Sequence, residues 1–206
     1  MDRCTKGETV SDGLLRLGIT GPHSSGKTTL LEALRKTPEF DSVDFLPEIT
    51  RTIKEQGYDI NEAGTLDTQV LIMAAHMQNL LTRKRFIVDR CLLDGLCYTR
   101  FLYANPGDRS SRYTRIQNWF MDYCETLVES YLTYYTRIFY IPPELPVADD
   151  GVRSTDSHFH GEIVHLFEEN IKWFGDMYPG LIVTVRGSVE QRVQTVLEEI
   201  RKIENR

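Results

Sequence analysis

The eight residues Gly21-Pro22-His23-Ser24-Ser25-Gly26-Lys27-Thr28 constrain this chain more than any others. They satisfy G-x-x-x-x-G-K-[ST] in full, with an apolar run from Leu14 to Thr20 before them and Leu30, Leu31 and Leu34 at helical spacing after them. Gly21 and Gly26 can adopt backbone angles that turn successive N–H groups inward, and the start of the following helix adds its positive end. Such a strand–loop–helix unit cradles the phosphates of a nucleotide. Lys27 supplies a mobile cation to the β- and γ-phosphates, and the Thr28 hydroxyl is placed to ligate the Mg²⁺ that nucleotides carry. The expected ligands are ATP and Mg²⁺, held by Gly21, Pro22, His23, Ser24, Ser25, Gly26, Lys27, Thr28 and Thr29.

The remaining pattern supplies the frame for that loop. Residues 1–12 are polar and aperiodic and read as a flexible tail ahead of one domain, 13–206. Apolar runs at 14–20, 43–48, 86–89, 137–141 and 181–185 predict strands. Helical spacing predicts helices over 28–35, 66–81, 91–103, 113–134, 156–174 and 188–203. In the 66–81 helix, Leu66, Val70, Met73, Ala74, Met77, Leu80 and Leu81 mark the apolar face. Short strands alternating with helices predict an α/β fold: three layers, with a mainly parallel, roughly five-stranded sheet flanked by helices. The polar, proline-containing stretch 144–156 reads as a small lid.

Composition narrows the function classes. With 30 acidic and 24 basic residues the formal charge is −6, which disfavours a protein that holds nucleic acid mainly by neutralising phosphate. No apolar run approaches the length of a membrane span and no signal-peptide core stands at the N-terminus, so the expected location is cytoplasmic. Cys4, Cys91, Cys97 and Cys124 form no C-x-x-C pair and read as reduced thiols. His158 and His160 read as a solvated pair, and no structural metal is expected.

Nucleotide-binding loops of this kind serve motors, switches and small-molecule kinases. No N-K-x-D guanine motif occurs, and the strand that would end in Asp-Glu in a motor ends Ile87-Val88-Asp89-Arg90. An arginine replaces the water-activating glutamate, which favours transfer to a bound acceptor over hydrolysis. The loop 21–28, Pro47-Glu48 with Arg51, Asp89-Arg90, and Asp150-Gly151-Val152-Arg153 together resemble the P-loop nucleoside and nucleotide kinases. The likeness is to the AAA-domain-like ATPase/kinase group that includes the nicotinamide-riboside kinase domain, and it spans residues 14–200.

That resemblance implies roles, position by position. Asp89 is implied near Mg²⁺ and Arg90 near the acceptor or the moving phosphoryl group. Glu48 is implied as the carboxylate that takes the acceptor's hydroxyl proton, with Asp89 as the competing base. Arg51 is implied to hold Glu48 or an anionic acceptor, and Arg153 to reach the phosphates from the lid. The resembling kinases often continue Asp-Arg-Ser, whereas this chain has Cys91. The expected catalytic set is therefore Lys27, Glu48, Asp89, Arg90 and Arg153, with Thr28 and Asp89 on the metal.

The expected activity is transfer of the γ-phosphate of Mg-ATP to a hydroxyl or phosphate of a nucleoside- or nucleotide-like small molecule. The alternatives are a regulatory P-loop ATPase and a kinase acting on a nucleic-acid base or end. Arg109, Arg112 and Arg115 around Tyr113 would serve a nucleic-acid or nucleotide acceptor, or form a solvated helix start. Tyr131, Tyr134, Tyr135, Phe139 and Tyr140 would stack a base or fill the core. Helices 66–81 and 113–134 leave open whether they pair within the monomer or form a homodimer face.

Overall fold

Strands too short to be stable alone are stabilised here by burial on both faces. The computed structural model describes residues 13–104, 111–144 and 157–204. The five strands are β1 Leu15–Thr20, β2 Asp44–Leu46, β3 Arg85–Asp89, β4 Arg137–Tyr140 and β5 Ile182–Thr184. They form one sheet in the order β2-β3-β1-β4-β5, and every pair is parallel. In register, Leu17 stands opposite Ile87 on one side and Arg137 on the other.

Side chains alternate across this sheet and so divide between two helical layers. Leu15, Leu17, Ile19, Ile87 and Phe139 pack with Leu30 and Leu34 of α1 (Lys27–Leu34) and with Val196 and Ile200 of α7 (Val189–Glu204). Phe86, Val88 and Ile138 face the opposite layer, α3 (Leu66–Thr82), α4 (Leu92–Ala104) and α5 (Ser111–Tyr131). A third cluster joins Tyr98 and Phe101 of α4 to Phe159, Ile163 and Phe167 of α6 (Ser157–Met177). Between α5 and α6, Arg100 of α4 donates to Glu125 Oε1 at 2.8 Å and to Asn170 Oδ1 at 2.7 Å.

The five strands and six helices of the sequence reading are present, and a further short helix, α2 (Ile49–Glu55), follows β2. Its single buried residue, Ile53, gives too little periodicity to mark it in the sequence. The apolar face assigned to residues 66–81 needs correction. Met73 and Leu80 are buried and Leu66 and Met77 pack against the core as expected, but Val70, Ala74 and Leu81 are exposed, and Thr68, Gln69, Ile72 and His76 point inward. The helix is turned so that three polar side chains, Thr68, Gln69 and His76, enter the protein.

Of the cysteines, Cys91, Cys97 and Cys124 are buried free thiols, and Cys4 lies outside the described residues. Tyr135, Phe139 and Tyr140 are core residues. Residues 1–12 and, except for Glu144, the lid stretch 144–156 with Arg153 also lie outside the described residues. No described helix is long and apolar enough to cross a membrane.

Candidate active site

The strand order reverses direction at β1, and the carboxyl ends of β1 and β3 open there into a crevice, where α/β sheets place ligands. The loop 21–26 leaves β1 at this point and α1 begins at Lys27. Gly21 has φ 143°, and a Cβ on it would stand 2.3 Å from the Ile141 carbonyl oxygen. Only glycine fits between β1 and the end of β4. Ser24 and Gly26 also have positive φ, 62° and 88°, which curls the backbone into the nest that binds anions.

Lys27 is buried and turns back on its own loop. Its Nζ donates to the Gly21 carbonyl at 2.8 Å, to the Pro22 carbonyl at 2.7 Å and to Ser25 Oγ at 3.4 Å. Burial, and then the Arg90 charge, lower its pKa to about 8. The loop is braced from behind by Arg192 of α7, a buried side chain whose Nη1 donates to the Ser25 carbonyl at 2.8 Å. Arg192 Nη2 also donates to Glu144 Oε2 at 3.0 Å, which ties the end of the segment after β4 to α7.

Asp89 ends β3 and is buried beside the loop. Thr28 Oγ1 donates to Asp89 Oδ2 at 3.2 Å, while Oδ1 is buried with no hydrogen-bond partner among the described residues. Burial pushes the Asp89 pKa up. Thr28 and Thr29 are exposed on the first turn of α1. Among the described residues no group of three or more His, Cys, Asp or Glu side chains gathers to hold a metal unaided. A hydroxyl beside an unsatisfied carboxylate oxygen does suit Mg²⁺, which takes one or two protein oxygens and completes its shell with phosphate and water.

Arg90 follows with φ 72°, a conformation uncommon for a residue with a side chain, held by its N–H donating to the Ile19 carbonyl at 2.9 Å. The turn aims a buried guanidinium across the crevice at Glu48, the N-cap of α2, and Arg90 Nε donates to Glu48 Oε1. Thr50 Oγ1 donates to the same carboxylate at 2.8 Å and Arg51 Nε at 3.2 Å. Although burial opposes ionisation, Arg90, Lys27 and Thr50 hold the Glu48 carboxyl far below the usual range. Arg90 Nη1 also reaches Asp94 Oδ1 and the Tyr98 hydroxyl, each at 3.4 Å.

Cys91 does not take the place of the missing serine hydroxyl. Its side chain is buried against Gly18 and Tyr135, and burial pushes the thiol pKa far up. Asp94 supplies the polar contact instead, accepting from the Cys91 N–H at 2.9 Å and from Thr20 Oγ1 at 2.7 Å. Beyond Arg90 the crevice continues as a narrow cleft. Its walls include Thr50, Ile60, Gln69, His76, Asp94 and Tyr98.

The structure thus brings Lys27, Thr28, Glu48, Arg51, Asp89 and Arg90 to one crevice. Arg109 lies outside the described residues and Arg115 is exposed on α5. The reading of His158 and His160 as a solvated pair is corrected for His160. Its Nδ1 lies 2.9 Å from Nε2 of His23, whose ring stacks on Phe159. His158 is exposed and 3.5 Å from Glu162. Gln69, His76, Asp94, Tyr98, Glu144 and Arg192 escaped the sequence reading. Only Asp94, placed to cap the helix start three residues after Cys91, had any local signal.

The family model described as AAA domain matches residues 16–192. No curated protein sequence matches the chain. Among solved structures, deoxyadenosine kinase from M. mycoides with products dCMP and a flexible dCDP bound superimposes with a TM-score of 0.67 at 16% identity, covering 92% of this chain and 100% of that one. Thymidylate kinase from Candida albicans gives 0.62 at 14% identity, covering 93% of each chain. The NadR protein in complex with NAD and AMP-PNP gives 0.59 at 13% identity, covering 94% of this chain and 50% of that one. At these identities the likeness is one of fold.

Proposed function

The chain belongs to the AAA domain family and has the fold of the P-loop nucleoside and nucleotide kinases, and from this we propose that it is an ATP-dependent phosphotransferase. Its acceptor is a nucleoside- or nucleotide-like small molecule. The observation that carries the reading is the junction of two half-sites at the ends of β1 and β3. A phosphate loop with Thr28 against a partly unsatisfied Asp89 lies on one side, and the Glu48–Arg90 pair over a separate cleft lies on the other. A protein that only bound or hydrolysed ATP would not need the second half.

In this reading the triphosphate takes up the N–H groups of loop 21–26 and draws Lys27 Nζ from the Gly21 and Pro22 carbonyls onto its β- and γ-oxygens. Thr28 and Asp89 would hold Mg²⁺, which neutralises charge on the phosphates when bound. Glu48 is ionised at neutral pH and is fixed by Arg51 and by Arg90 and Thr50, which line the acceptor cleft. Its low basicity is tolerable because a loose transition state places little demand on early proton removal. We therefore take Glu48 to orient the hydroxyl and accept its proton late, and Asp89 to serve the metal. Arg90 neutralises charge on the transferring group, and Arg153 is expected to add to it from the lid.

The test is acceptor-dependent ADP release over a panel of nucleosides, nucleoside monophosphates and nicotinamide riboside. A kinase turns over only with an acceptor. Equal ADP release with and without every acceptor would instead identify an ATPase.

A further inference from the structure

Loop 21–26 is held at both ends, at Gly21 by its fit against the Ile141 carbonyl and at Ser25 by Arg192 of α7. Its middle is held by a third element, α6. The ring of His23 is buried and is fixed in two directions at once. Phe159 stacks on it, with ring centroids 5.6 Å apart and planes 12° from parallel. His160 Nδ1 lies 2.9 Å from His23 Nε2, with the two imidazoles edge to face. Stacking sets the plane of the His23 ring, and the hydrogen bond sets its rotation within that plane.

The base from which α6 reaches the loop is rigid. Phe159 is 2% exposed and its ring meets Phe101 of α4 edge-on at 4.7 Å and Tyr98 at 6.2 Å. His160 follows on the same turn of α6. On the loop, the neighbours of His23 are the two residues that matter most for gripping phosphate. Pro22 offers its carbonyl to Lys27 Nζ at 2.7 Å. Ser24 has φ 62°, a left-handed conformation that a residue with a side chain keeps only where its surroundings over-determine it. Fixing the His23 ring fixes the backbone between them.

We infer that His160 is a positioning residue for the phosphate loop. Through His23 it holds Ser24 in its left-handed turn, so that the N–H groups of the loop point inward before a triphosphate arrives. The inference rests on the reading that places a triphosphate on loop 21–26, and on no property of the acceptor. A site ordered in advance spares the ligand the cost of ordering it, and that saving is read as affinity.

The experiment is calorimetric binding of Mg-AMP-PNP to wild type, His160→Phe, His160→Asn and His160→Gln, with the thermal midpoint of each ligand-free protein. His160→Phe is expected to bind about 3- to 10-fold more weakly than wild type, and His160→Asn within about twofold of it. Asparagine places an amide where Nδ1 stands and can donate or accept there. Glutamine carries its amide further out, at the place of Nε2, and should recover less. Thermal midpoints should run the other way, with His160→Phe no lower than His160→Asn, because the phenyl ring refills the space of the imidazole. Wild-type affinity in His160→Phe, or affinities that follow the midpoints, overturns the inference. Should His160→Phe fail to fold, tighter binding by His160→Asn than by His160→Gln sustains it and any other order overturns it. If wild type binds no Mg-AMP-PNP, the phosphate-loop reading falls and the inference with it. Binding without turnover of any acceptor removes the kinase reading alone, and the order of the variants still decides the role of His160.

Discussion

Arg90 Nε donates to Glu48 Oε1 across the crevice, joining the turn after β3 to the N-cap of α2. The two side chains are 8% and 11% exposed, so the pair is close to fully desolvated and its members depend on each other. Removing one charge leaves the other buried with reduced compensation. Glu48→Gln is expected to lower unfolding stability by about 3–5 kcal/mol. It should also cut acceptor phosphorylation by about 10²- to 10⁴-fold. Because the folded-state pKa of Glu48 is depressed, its stabilisation is fully present above the ordinary value of 4.5 and is lost as pH falls through the folded value. Urea unfolding should show a large wild-type advantage over Glu48→Gln at pH 7 that shrinks at pH 3.

Asp89 has the opposite sign. Burial raises its folded-state pKa, so the stability associated with its proton is present below the ordinary value of 3.8 and is lost as pH rises through the folded value. Asp89→Asn should therefore raise the thermal midpoint of the ligand-free protein while reducing Mg²⁺-dependent ADP release by at least about 100-fold. A midpoint that drops, with Mg²⁺ dependence retained, would contradict the assignment.

Lys27, with a pKa near 8 in the free protein, regains charge stabilisation when phosphates arrive. Binding of Mg-ATP at pH 8–9 should then take up protons, measured as a dependence of calorimetric heat on buffer ionisation enthalpy. Lys27→Ala should abolish that uptake and weaken nucleotide binding or turnover by about 100-fold or more.

Arg192 tests the brace behind the phosphate loop. Its guanidinium binds the Ser25 carbonyl, the Gly187 carbonyl and Glu144 together. Arg192→Ala strands those acceptors and is expected to cost about 2–4 kcal/mol of stability. It should raise KM for ATP with little change in KM for the acceptor, checked by urea unfolding and by kinetics in each substrate.

His76 gives the low-pH limb of stability a second component. Its folded-state pKa near 4 against an ordinary 6.5 means the unfolded chain binds the proton first, so stability falls as pH drops from 6.5 towards 4. The loss is on the order of 3 kcal/mol. His76→Leu should flatten unfolding free energy over that window.

The phosphate loop and the α/β frame are legible in the sequence, because both are local. Gly21, Gly26, Lys27 and Thr28 act through backbone geometry within eight residues, and the apolar runs of β1, β3 and β4 bury both faces whatever surrounds them. The rest depends on how distant segments pack. Residues 42 positions apart, Glu48 and Arg90, meet only because β2 and β3 are neighbours in the sheet and Arg90 turns at positive φ. His160 reaches His23 across 137 positions, and Arg192 reaches Ser25 across 167. The face of α3 was misread for a physical reason. Hydrophobic periodicity assumes that polar side chains seek water, whereas Thr68, Gln69 and His76 are buried and Val70 and Leu81 exposed, because the elements packed against α3 and not its own pattern set which face turns inward.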